Sequence, residues 1–352
     1  MHPVVFYLNL PLVGTWPLRF FGLFIVDAFF FATLWLEWAW LTRTNPVFAA
    51  RWKGFHPMRA AIAVAVLVRV AILALPLDWG VRLGAVFLAD VAAMIWARVM
   101  MGKALDEAGR KEVEFVFSLC FWLLIIGFIG SRLFWIATTP DGQKDFGERP
   151  LHALFAIWEG GIVYYGGLLC SAGFGAWWLW VKRGRGILDF GDFVIAGVAF
   201  TLFIGRWACF SAGCDFGQET SMPWGIVFEP IPGGIDRNSL IPAAMQGHHA
   251  IHPTQLYMSL NGLLIFLLCA SVLRVRKFPG QVLWLFFMLY AIGRSTVEFF
   301  RADTGRGIYD IAGFSLSSSQ IISIPVFIAA AVLYLRGWAK SKRPEVATPP
   351  AE

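Results

Sequence analysis

The residues best suited to chemistry stand where an apolar chain tolerates charge least. Arg206 lies in the run from Val194 to Phe210, followed by small residues, Cys209, Cys214, Gly217 and a polar loop reaching Pro223-Trp224. A guanidinium in hydrocarbon costs about 3 kcal/mol or more, so it normally faces a cavity and has a task there. Its planar fork grips phosphate or carboxylate through paired hydrogen bonds. An apolar entry, a buried cation and a Gly-rich exit fit a site that takes an anionic group from within a membrane. The competing reading is an arginine that only snorkels to the interface.

Three further groups add to this one. Tyr290, Arg294, Glu298 and Arg301 are spaced by four, four and three, so one helical face carries them. Arg294 and Glu298 can pair, which makes burial tolerable, whether the pair serves a ligand or only helix packing. His252-Pro253-Thr254-Gln255-Leu256-Tyr257 opens an apolar run with polar groups; without a ligand it is a helix start with Pro near the first turn. His248, His249 and His252 lack an acidic or cysteine partner at metal-site spacing, so no metal is expected. The stretch from Trp158 to Gly167 brackets Tyr164 and Tyr165 with two glycine pairs. It serves either close helix packing or a lipid head group, with Gly166 leaving room and Tyr165 offering a hydroxyl.

The elements that must position these residues are membrane helices. Hydrophobic residues make up 58% of the 352 and charged residues 15%, more apolar sequence than a soluble core needs. Apolar runs occur at about 17–41, 58–76, 80–100, 112–137, 157–181, 188–210, 254–274, 281–299 and 314–336, each near the ~20 residues of a spanning helix. The second and third could instead form one re-entrant hairpin around Pro76-Leu77-Asp78. The net charge of +6 sits in short connections, which argues against nucleic acid and for membrane orientation. Arg43, Arg51, Lys53 and Arg59 follow the first run, Lys103, Arg110 and Lys111 the third, and Lys182, Arg183 and Arg185 the fifth. Arg274, Arg276 and Lys277 follow the seventh, and Lys340, Lys342 and Arg343 the ninth.

Every second connection is thus basic. That pattern puts the N-terminus outside, the C-terminus in the cytoplasm, and 138–156, 211–253 and 300–313 on the outer side, with 211–253 as a small cap. All four polar groups then converge on the outward half of the membrane. The five cysteines carry no double CxxC pattern and read mostly as small core residues. Cys209 and Cys214 are expected either as a disulfide or as packed thiols. No removable signal peptide and no internal repeat stand out, and the last weakens a transporter reading.

From Gly127 to Trp338 the sequence resembles the bacterial prolipoprotein diacylglyceryl transferases. The resemblance is carried in order by Gly130-Ser131-Arg132-Leu133, WEGG with YGGL (158–168), Asp192, and GR-x-x-x-F-x-x-G-x-x-x-G (205–217). It continues through PWGIVF (223–228), HPTQLY (252–257) and R-x-x-x-E-F-F-R (294–301). It implies an enzyme of the bacterial inner membrane with seven spans; the apolar runs make this chain an all-α polytopic protein of about nine, with about two more near the N-terminus. RFFGLFIVDAF (19–29) is the candidate for the family's first span, with the next two runs inserted. It also implies the reaction, in which the diacylglyceryl unit of phosphatidylglycerol passes to the lipobox cysteine thiol of a prolipoprotein, giving a thioether and glycerol 1-phosphate. Phosphatidylglycerol, the lipobox segment and the bilayer are the implied partners, and no cofactor is implied.

Residue by residue, Arg206 matches the family's head-group arginine, Arg294 and Glu298 its essential later pair, and Gly217 a signature glycine. Tyr165, Arg206, Arg294 and Glu298 are therefore the expected catalytic residues. Gly166, Gly217, His252, Gln255, Tyr257, Tyr290 and Arg301 are expected to contact substrate. Tyr165 stands where many members carry a histidine and others a tyrosine. Cys209 replaces an asparagine, Cys214 a glutamate, and Met258 another glutamate. A lipid-binding or transport paralogue without the reaction is the alternative these replacements support. Residues 1–105 are expected to form the N-terminal membrane region, 106–340 the transferase core with loop 211–253, and 341–352 a disordered cytoplasmic tail.

Overall fold

The computed structural model describes residues 4–10, 14–51, 57–75, 79–155, 161, 163–183, 186–228, 247, 249–302, 308–311 and 313–342. The chain opens with an antiparallel hairpin, β1 (Val4–Leu10) and β2 (Gly14–Arg19), and enters α1 (Phe20–Thr44). A short α2 (Pro46–Arg51) precedes α3 (Pro57–Ala74) and α4 (Trp79–Gly102), then α5 (Glu107–Thr138). Two short helices, α6 (Pro140–Glu148) and α7 (Pro150–Phe155), lead to α8 (Tyr164–Arg183) and α9 (Ile187–Ala212). After α9, β3 (Ile226–Val227) pairs with β4 (Ala250–Ile251) before α10 (Thr254–Val275) and α11 (Gln281–Glu298). A last hairpin, β5 (Ile308–Ile311) and β6 (Phe314–Ser317), runs into α12 (Ser318–Ser341).

Each of the nine apolar runs coincides with one long helix. Six described stretches are long and apolar enough to cross a membrane: Gly22–Thr44, Gly84–Gly102, Glu107–Thr138, Ile187–Ala212, Thr254–Val275 and Ser318–Ser341. The chain is an all-α polytopic membrane protein. The second and third runs form two helices packed on each other, of 18 and 24 residues. At 1.5 Å per residue they are about 27 and 36 Å long, close to the ~30 Å of a hydrocarbon core. The turn between them at 76–78 lies outside the described residues, as do 229–246 and 248 of the 211–253 loop and the tail from 343.

Local chemistry sets the ends of these helices. Asp106 caps α5 by accepting from the Gly109 N–H at 2.7 Å, and the Asn45 amide holds the same carboxylate at 2.7 Å. Ser317 and Gln320 form a reciprocal capping box at the start of α12. Gly213, at φ 73°, ends α9 in the left-handed conformation that glycine adopts without strain.

The centre of the bundle is α9, which packs against α1, α10 and α11. An aromatic seam joins three of these helices: Phe31 lies 5.6 Å from Phe200, Trp35 5.3 Å from Phe266, and Phe200 4.8 Å from Phe266. Gly262 lets α10 approach closely, since a Cβ there would lie 2.8 Å from the Phe203 nitrogen. A second tight pair is α5 with α8. Side chains at Gly130, Gly166 or Gly167 would run into Cys170, Phe134 or Ser131 respectively. The glycine pair at 166–167 is thus filled by α5. Asp192, fully buried, accepts from the backbone N–H groups of Gly280 and Leu283, each at 2.9 Å, and from Arg276 at 2.7 Å. It pins the α10–α11 turn to the first turns of α9, at the opposite end of the bundle from Arg206.

Candidate active site

The site forms where the end of α9, the start of α10 and the end of α11 meet. Past Gly213 the chain makes a left-handed turn that includes Asp215, a non-glycine residue at φ 57°. Aspartate tolerates this conformation better than most side chains. The turn is held from α10, where the Thr254 hydroxyl donates to the Asp215 carbonyl at 2.5 Å and the Gln255 amide to the Cys214 carbonyl at 2.7 Å. Residues 216–220 then run beside 300–302 on one side and 250–252 on the other. Gln218 N–H donates to the Phe300 carbonyl at 2.8 Å, Ala302 N–H to Phe216 at 3.1 Å, and His252 N–H to Gln218 at 2.9 Å. Gly217 sits in this strip, where a Cβ would strike the His252 backbone and side chain. The signature glycine is therefore required by the close approach of two chain segments.

This frame turns the Asp215 carboxylate toward two guanidinium groups. Arg206 donates to one oxygen at 2.5 Å and Arg301 to the other at 2.7 Å. Burial pushes the Asp215 carboxyl up, but Arg206 and Arg301, followed by Arg294, outweigh that and hold it below its ordinary value. On α11, Glu298 pairs with Arg294 one turn earlier and lies 3.9 Å from Arg301. Three guanidinium groups thus meet two carboxylates, leaving one unit of positive charge. The Arg206, Arg294 and Arg301 side chains keep 16%, 14% and 9% of their surface exposed, so the surplus cation stays within reach of a ligand. Tyr290 lies within electrostatic reach of Arg206 and Arg294 and stacks on Phe286 at 5.7 Å.

The rim is aromatic. His252 Nδ1 lies 2.9 Å from the Tyr257 hydroxyl, which also accepts from the Trp224 indole at 2.8 Å. The His252 ring packs 5.0 Å from Phe300, next to Arg301. Cys209 and Cys214 are free thiols, so of the two states expected for them the reduced one is present. Cys209 Sγ is 3.9 Å from Arg206, and the Cys214 thiol donates to the Cys209 carbonyl at 3.6 Å. Its hydrogen bond to Cys209 and its burial push the Cys214 thiol up, which keeps it protonated. Donor atoms of Cys209, Cys214 and Asp215 lie within 4.8 Å of one another, a donor set with metal-like spacing. Both Asp215 oxygens are engaged by arginines, and this surplus of cations favours an anion over a metal.

The structure brings Arg206, Arg294, Glu298, Arg301, Tyr290, Gly217, His252, Gln255 and Tyr257 into one region. Tyr165 lies in the first turn of α8, and its side chain is outside the described residues, as are Trp158, Glu159, Gly160 and His248. His249 forms an outlying 3.6 Å pair with Glu219. Met258 is 3% exposed and packs in the interior. The partner that sequence reasoning missed is Asp215. Its signal was an acid directly after the Gly-rich end of the helix carrying Arg206.

Comparison with known proteins points the same way. Residues 83–336 match the family model described as prolipoprotein diacylglyceryl transferase, so the match begins inside α4. A phosphatidylglycerol–prolipoprotein diacylglyceryl transferase of Photorhabdus laumondii is 32% identical over 224 residues, 60% of this chain and 72% of that one. The protein of that name from Roseobacter denitrificans is 31% identical over 234 residues, covering 62% and 76%. One from Xylella fastidiosa is 29% identical over 270 residues, covering 72% and 85%. With a family match running from α4 to α12 and relatives at this identity and coverage, the chain belongs to the prolipoprotein diacylglyceryl transferase family, a family of membrane transferases.

Proposed function

We propose that this protein transfers the diacylglyceryl unit of phosphatidylglycerol to the lipobox cysteine thiol of a prolipoprotein, leaving a thioether and releasing glycerol 1-phosphate. The observation that carries this reading is the charge balance at the end of α9. Arg206, Arg294 and Arg301 against Asp215 and Glu298 leave one positive charge, the complement of a single phosphodiester. In the reaction the substrate sulfur attacks carbon 3 of the lipid glycerol, and the carbon–oxygen bond to phosphate breaks. Negative charge builds on the departing phosphate, where positioned guanidinium groups stabilise it. Arg206 and Arg294 hold the phosphate in this account. Glu298 orients Arg294, while Asp215 orients Arg206 and Arg301.

A free thiol near pKa 8.5 is already a few per cent ionised at neutral pH, and neighbouring cations increase that share. The reaction therefore does not demand a strong base where Cys209 and Cys214 stand. Tyr165, Gly217, His252, Gln255, Tyr257 and Tyr290 line or shape the site in this reading, while Gly166 serves the packing of α8 on α5. We place the protein in the bacterial inner membrane with this site toward the periplasmic half. Residues 213–217, 254 and 301 lie at one end of the bundle, opposite the basic turn at Arg274, Arg276 and Lys277, which supports that placement.

A paralogue that binds lipid without transferring it is favoured by one observation, the apolar burial of Met258 where the family carries a carboxylate. The two readings separate when purified protein receives phosphatidylglycerol and a lipobox peptide. The transferase releases glycerol 1-phosphate only when both are present. A folded protein that binds the lipid and releases none sinks the reaction.

A further inference from the structure

A second charged cluster lies deep among α1, α3, α4 and α9. The Arg69 guanidinium of α3 donates from one nitrogen to both Asp27 of α1, at 3.2 Å, and Asp90 of α4, in a closer contact. None of the three side chains exceeds 3% exposure. On its other side the guanidinium lies over the rings of Phe203 and Trp207 of α9, at 5.4 and 5.8 Å from their centroids. The second oxygen of Asp27 and that of Asp90 are fully enclosed and accept no hydrogen bond, and Arg69 Nε and Nη1 are enclosed and donate none. The next charged pair between α1 and α4, Glu37 with Arg98, is neutral as a unit and lies ten residues, about 15 Å, further along α1. Among the described residues, α9 meets Arg69 through these two aromatic rings.

One guanidinium against two carboxylates leaves a negative charge in a sealed, apolar setting. Such a charge is neutralised rather than carried. Both carboxylates meet the same guanidinium nitrogen, so the two lie close enough to share a neutralising species, and each keeps an unpartnered oxygen. Hard metal cations take about six oxygens or more, whereas a shared proton needs two. A metal ion would also stand beside the Arg69 guanidinium. We propose that Asp27 and Asp90 form an intramembrane proton-binding site, holding one proton between their carboxyls beside Arg69. The site belongs mainly to helices that precede the family match and stands apart from the transferase reading. Through Phe203 and Trp207 it touches the helix that carries Arg206.

The test is the infrared spectrum of the full-length protein in lipid bilayers at neutral pH. The expected result is a protonated-carboxyl carbonyl band equivalent to one group per chain, shifted by deuterium oxide. Asp27→Asn and Asp90→Asn should each abolish it, because either leaves one carboxylate against one guanidinium. Both variants conserve electroneutrality and should fold, as their melting curves will report. Glu37→Gln should retain the band, which separates this site from the neighbouring pair. Absence of the band in the wild type, or its persistence in both folded Asn variants, would overturn the proposal. A band that appears only once sodium is removed would assign the site to a metal cation and overturn it as well.

Discussion

Two arginines on or against α9 meet carboxylates with opposite results. Around Arg206 the groups are three guanidiniums and two carboxylates, the side chains are partly open, and a left-handed aspartate holds the geometry. Around Arg69 there are one guanidinium and two carboxylates, sealed to 3% exposure or less. The first cluster keeps a positive charge on side chains that are not sealed, which suits an exchangeable anion. The second keeps a negative charge with no opening, so the smallest cation suits it. Sign and access, rather than the presence of buried charge as such, separate an exchangeable ligand site from a sealed one.

The largest expected effect comes from removing the open cluster's central cation. Arg206→Ala should insert and fold normally yet lose on the order of a hundredfold in transfer rate, the result of about 3 kcal/mol less stabilisation of the departing phosphate. Arg206→Lys keeps the charge but loses the planar fork, and should fall well below wild type in the same assay. Full activity of the Lys variant would return Arg206 to a snorkelling role.

Glu298→Gln tests whether the carboxylates are parts of the clamp or bystanders. It leaves Arg294 and Arg301 short of one counter-charge, which should lower stability by about 3 kcal/mol in detergent unfolding. An unchanged unfolding curve would mean that the arginines find other partners.

Asp215→Asn should cost about 1 kcal/mol, since its side chain is 30% exposed and its ion pairs are partly screened. Its pH dependence has a defined sign. Arg206 and Arg301 hold the Asp215 carboxyl below its usual value against the effect of burial. Its contribution is therefore full above the unfolded aspartate value near pH ~3.9 and is lost as pH falls through the lower folded value. The stability gap between wild type and Asp215→Asn should stay constant from neutral pH to about 4 and close only below that. A gap that closes near neutral pH would contradict the assigned ion pairs.

The smallest effect is expected at the thiols. Replacing Cys209 and Cys214 together with Ser should leave at least partial activity, because the substrate brings its own sulfur. A lipid adduct trapped on either cysteine would reverse that assignment.

The nine long helices were legible as apolar runs, and the Arg294–Glu298 pair as one face of one helix, because both depend on local periodicity. The union of Arg206 with Asp215 and Arg301 was not. It requires the left-handed turn after Gly213 and the strip at 216–220, both fixed by contacts 30 to 86 residues away. The need for Gly217 likewise appears only once His252 lies against it. Asp27, Arg69 and Asp90 stand in three separate apolar runs among other charges, and nothing in the sequence singles them out. Their union depends on how α1, α3 and α4 pack, which no spacing within one helix reveals. The hairpins β1–β2 and β5–β6 and the short helices α6 and α7 were absent from the reading by runs, since each is too short to carry a periodic signal.

The most direct measurement is the mass of a lipobox peptide after incubation with the purified protein in bilayers containing phosphatidylglycerol. The account predicts a gain equal to one diacylglyceryl group, carried on the peptide's cysteine, absent when that cysteine is replaced by serine and nearly absent with Arg206→Ala. A peptide of unchanged mass beside folded, lipid-binding wild-type protein would contradict it.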